Sequence, residues 1–77
     1  DFAGLEASDL LKMIMELPPK YRMVFNLYAI EGYAHREIAE MLRISEGTSK
    51  SNLSRARDIL QRKVKIFTGI SRRAINV

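Results

Sequence analysis

The sequence contains no cysteine and a single histidine, His35. The first absence excludes disulfides, thiolate metal sites and thiol redox chemistry, and one imidazole alone cannot build a metal cluster. No run of about 18 apolar residues occurs, so nothing is expected to insert into a membrane. A signal-peptide pattern is missing too, and the expected location is cytoplasmic. No nucleophile paired with a base, metal-ligand set or phosphate-binding loop is found. An enzyme is therefore not expected, and no cofactor is. Internal repeats and low-complexity segments are absent.

What is present fits one small domain of 77 residues, too short to hold a large catalytic pocket beside its own core. An apolar content of 47% is that of a folded domain and excludes disorder. The chain opens on Asp1 rather than Met, so it is expected to be a piece of a longer protein. Its net charge of +4 is unevenly spread. Residues 1–42 carry four Lys/Arg against seven Asp/Glu, a balance of −3, whereas residues 43–77 carry nine against two, a balance of +7. A one-sided positive field attracts a phosphate backbone. Basic helices are also common as mere solvated surfaces, so charge alone decides little.

The stretch His35–Leu60 sharpens the reading. Ile38, Ala39, Met41 and Leu42 make an apolar face on a first amphipathic segment. Ile44 sits in a short turn. Ser45 is placed to cap a second helix by accepting from the amide of Gly47 or Thr48. Beyond it, Ser49, Leu53, Ala56 and Leu60 recur at helical spacing on one face. Thr48, Lys50, Ser51, Ser54, Arg55 and Asp58 occupy the other. Two short helices joined by a three- to four-residue turn form a helix-turn-helix, whose second helix enters a DNA groove. Lys50, Ser51, Ser54 and Arg55 are the candidates for base reading, since Lys and Arg suit the N7 and O6 acceptors of guanine. Tyr33, Arg43, Ser45, Thr48, Ser49, Arg57 and Lys63 are the candidates for the DNA backbone, through hydroxyls near a helix N-terminus and flanking cations. Gly47 permits close backbone approach in the first turn.

The rest of the chain reads as scaffold. Residues 1–7 form the end of a linker, residues 8–68 the domain, and residues 69–77 a short basic tail. Ser8 is the expected N-cap of a first helix with Leu10, Met13, Ile14 and Leu17 on its apolar face. That helix stops at Pro18-Pro19, because a residue preceding proline leaves the α region. The same prolines open a second helix bearing Tyr21, Val24, Phe25, Leu27, Tyr28 and Ile30, closed at Gly32. Met13, Met15, Met23 and Met41 are expected as core filler. The last helix should run from Glu46 to about Phe67 and end at Gly69. His35 is expected at a helix start.

From Leu17 to about Leu60 the chain resembles region four of bacterial sigma factors of the compact extracytoplasmic-function (ECF) class. The resemblance rests on an ordered series: Leu17-Pro18 with Arg22, Gly32-Tyr33, Glu37-Ile38-Ala39, then Gly47-Thr48 followed by Lys50-Ser51 and Arg55-Ala56-Arg57. It implies an all-α, compact four-helix domain with a helix-turn-helix, winged-helix-like but lacking the wing. It further implies double-stranded promoter DNA as a partner, read at the minus-35 element in the major groove. The flap of the RNA polymerase β subunit and an anti-sigma factor are implied as protein partners. Ser49 departs from the pattern, standing where the family usually has a branched apolar residue. That either weakens packing under the recognition helix or frees a hydroxyl for a phosphate. Two alternatives remain: a module acting mainly through protein contacts, and the helix-turn-helix output domain of a response regulator.

Overall fold

The computed structural model describes residues 5–75, with side chains through residue 69. Four α-helices follow one another: α1 (Ala7–Met15), α2 (Pro19–Phe25), α3 (His35–Leu42) and α4 (Glu46–Ile75). No strand occurs among the described residues.

Local chemistry sets most boundaries. The N-cap position of α1 is Glu6, two residues before the expected Ser8, because the Asp9 carboxylate reaches back and accepts from the Glu6 amide at 3.3 Å. A carboxylate in that first turn also suits the helix dipole. Leu17 and Pro18 break the chain, and Pro19 opens α2. Instead of one helix to Gly32, α2 passes into a π-helical turn at Asn26–Ile30, where the Glu31 amide donates to Asn26 O at 3.0 Å. Gly32 then takes φ +83°, a conformation that costs glycine little, and the Tyr33 amide donates back to Leu27 O at 2.9 Å.

The core is in two parts that share Phe25. One holds Met13, Ile14, Leu17, Ala56 and Leu60, with Tyr21, Val64 and Phe67 packed against it. This part joins α1 and α2 to the middle of α4. The other holds Val24, Ile38 and Leu53, flanked by Leu27, Tyr28, Leu42 and Ile44, and lies in the seam between α3 and α4. Of the four methionines expected as filler, Met13 alone is buried. Met15 is 69% exposed, and Met23 and Met41 are also on the surface. Ile30 is exposed as well.

Helix α4 does not stop at Gly69; it continues to Ile75. A helical glycine costs only about 1 kcal/mol relative to alanine, and no proline follows to end the helix. Thirty residues at about 1.5 Å each give a rod of about 45 Å, which sets the 51 Å long axis of the molecule. Among the described residues, no helix is long and apolar enough to cross a membrane.

Candidate nucleic-acid interface

The turn between α3 and α4 is held at both ends. Glu37 Oε1 accepts from the Ala34 amide at 2.9 Å and fixes the start of α3. Arg43 closes α3 in the left-handed region (φ 57°, ψ 47°), and the Ile44 amide donates to Ala39 O at 3.0 Å. Ile44 can then fold back onto the Leu53 cluster. Ser45 caps α4 as expected: its Oγ accepts from the Thr48 amide at 3.0 Å and donates to Thr48 Oγ1 at 2.8 Å.

These constraints orient α4. Ser49, Leu53, Ala56 and Leu60 face inward and are buried. Lys50, Ser51, Ser54 and Arg55 are all exposed and lie together near the start of the helix. Ser51 Oγ donates to Thr48 O at 3.1 Å, leaving its oxygen available as an acceptor. Gly47 is exposed on this side too. A methyl group there would meet only Ser45 Oγ, at 3.8 Å, so packing within the fold does not demand a glycine. Arg55 also borders a shallow hollow with Tyr21, Asp58, Ile59 and Arg62.

The backbone-contact candidates do not form one set. Arg43, Ser45 and Thr48 gather around the turn, with exposed Tyr33 just ahead of α3. Arg57 lies on the flank, its guanidinium 5.9 Å from the Tyr28 ring centre. Lys63 stands apart: it lies about 20 Å along the helix from Lys50 and pairs with Glu16 of α1 at 2.8 Å. The Lys63 hydrogen bond and charge hold the Glu16 carboxyl below the usual carboxylate range.

Ser49 requires a correction. It is 0% exposed and its Oγ lies 2.8 Å from His35 Nδ1, so it cannot touch a phosphate in this arrangement. Its place on the apolar face turns the hydroxyl into the seam. The His35 ring is in turn stacked on Tyr28, with centres 4.4 Å apart and planes 17° from parallel. His35 does start α3, yet it is half-buried, and its two partners were not foreseen. A polar residue in the apolar series of α4 was the available signal, since a buried hydroxyl needs a partner.

Fold and exposed face together define a helix-turn-helix domain with a cationic, hydroxyl-rich second helix. The family model described as sigma-70, region 4 matches residues 7–60. Over 63 residues the chain is 37% identical to the ECF RNA polymerase sigma factor SigW of Bacillus subtilis (strain 168), a stretch covering 80% of this chain and 34% of SigW. The chain belongs to the sigma-70 region 4 family, and its type is that of the extracytoplasmic-function sigma factors. It spans about a third of the length of that relative. No solved structure matches it.

Proposed function

We propose that this domain binds double-stranded promoter DNA during transcription initiation, with the first half of α4 in the major groove at the minus-35 element. The observation that carries the reading is the division of α4 into a buried face of Ser49, Leu53, Ala56 and Leu60 and an exposed face of Lys50, Ser51, Ser54 and Arg55. Lys50 and Arg55 are donors long enough to reach guanine edges, and the two serines adapt to either neighbour. Arg43, Ser45, Thr48, Arg57 and Tyr33 flank this face and suit phosphates. Gly47, which the fold itself does not require, leaves room for the helix start to come close to the duplex. The family is one of DNA-binding transcription domains and is not an enzyme family.

The name of the relative as an RNA polymerase sigma factor supports polymerase as a partner, and we assign the β-subunit flap and an anti-sigma factor to the same domain. A mainly protein-binding role has its own supporting observation. Leu11 and Met15 of α1 and Met23 of α2 are exposed apolar side chains on helices other than α4. Selection of duplexes from a random pool separates the two. A DNA reader enriches a defined motif and prefers it over a scrambled duplex, whereas a pure adaptor enriches nothing.

A further inference from the structure

The buried Ser49–His35 pair brings three elements to one point: Tyr28 from the π-helical turn, His35 from the start of α3, and Ser49 one turn into α4. Among the described residues, Ser49 is the buried polar side chain of the domain, beside a seam filled by Val24, Ile38 and Leu53. Stability alone does not explain it. A buried hydrogen-bonded pair contributes little net over apolar groups of similar shape, while stranding one partner is costly.

What the pair adds is direction. Methyl groups in the seam tolerate small rotations of α4, but a hydrogen bond of this length weakens steeply when its donor and acceptor are turned. The hydroxyl either donates to a bare Nδ1 or accepts from a protonated one, so the bond forms with either tautomer. Stacking on Tyr28 fixes the plane of the imidazole and hence the direction in which Ser49 must lie. Lys50 and Ser51 are the next residues on the same helix, and Ser54 follows one turn later. A rotation of α4 by about 20° would move side-chain tips roughly 2 Å at the 5–6 Å radius of a helix, enough to misplace a contact that needs sub-ångström support.

The geometry points to His35 and Ser49 as positioning residues that set the rotation of the recognition helix against the scaffold helix, with Tyr28 holding the imidazole. This rests on the DNA-reading function above. The decisive variant is the double substitution His35→Phe with Ser49→Ala, which keeps an aromatic ring on Tyr28 and strands no polar group. Binding of the chain is measured to the duplex it enriches from a random pool and to a scrambled duplex of the same composition. The expected result is thermal stability close to wild type, unchanged affinity for the scrambled duplex, and a preference for the enriched duplex reduced about three- to tenfold. A folded double variant with full preference overturns the inference. If the double variant does not fold, Ser49→Ala alone is read the same way: preference lost with scrambled-duplex affinity kept supports the role, and both kept overturns it. If the wild-type chain shows no preference at all, the DNA-reading function is what fails. The angle between α3 and α4 from residual dipolar couplings then decides, a change in the variant supporting the positioning role and an unchanged angle overturning it.

Discussion

The two parts of the core are built differently. Where α1 and α2 meet α4, the buried residues are Met13, Ile14, Leu17, Ala56 and Leu60, all apolar. In the seam of α3 with α4, Val24, Ile38 and Leu53 are joined by the Ser49–His35 hydrogen bond. The buried residues of the first part pack by area alone, and the polar contacts that go with them, Arg22 Nη1 donating to Met15 O at 2.7 Å and the Glu16–Lys63 pair, lie at the surface. The second combines burial with a directional contact directly beneath the face proposed to read DNA. Both should carry stability, but one of them should also carry geometry.

The largest expected effect is common to both parts. Leu53→Ala in the seam and Leu17→Ala in the first cluster should each cost about 2–5 kcal/mol by chemical unfolding, a loss of transfer energy plus a cavity. In a domain this small that is much of the total. A seam variant with unchanged stability would show that Leu53 is not core. DNA reading should distinguish surface from core next. Arg55→Ala should lose about 1–3 kcal/mol on the preferred duplex and far less on unrelated DNA, with little change in unfolding. An unaltered ranking of sites in competition binding would remove Arg55 from the reading face.

Smaller effects test the turn. Arg43 holds a left-handed conformation that costs a non-glycine residue about 1–2 kcal/mol. Arg43→Gly should therefore raise stability by up to about 1 kcal/mol, since glycine's own entropy offsets part of the relief. The same change should make the salt dependence of DNA binding shallower by about one unit, if the arginine meets a phosphate. Better folding with an unchanged salt slope would leave Arg43 a purely structural cap. The smallest effect belongs to the exposed Glu16–Lys63 pair. The folded-state pKa of Glu16 is lowered by Lys63. The pair thus favours the fold above the ordinary carboxylate range, and its contribution fades as pH falls through the lowered value. In Lys63→Ala the Glu16 titration followed by NMR should move back up; an unmoved titration would mean the pair does not persist in solution.

Much of this arrangement was legible in the residues. The proline pair, the Ser45 cap, the Gly32 turn and the apolar series of α4 each have a local cause that works through near neighbours. The misses have several causes. The cap of α1 moved to Glu6 because the carboxylate of Asp9 outcompeted the hydroxyl of Ser8. The π-helical turn has no distinct residue signature. Gly69 breaks a helix only when nothing downstream favours continuing it. Surface methionines cannot be told from buried ones by spacing alone, and Met15 and Met41 lie at the margins of apolar stripes. Ser49 was placed on the inward face by its spacing, yet its hydroxyl suggested a phosphate. The imidazole that decides between them lies 14 residues earlier in the chain.

The most direct test of the central claim is an NMR titration of the labelled chain with the duplex it enriches from a random pool. The largest amide and side-chain shifts are expected at Lys50, Ser51, Ser54 and Arg55, with smaller ones at Tyr33, Arg43 and Arg57. Shifts concentrated instead on Leu11, Met15 and Met23, or none at all at saturating duplex, would contradict the assignment of the exposed face of α4 as the DNA reader.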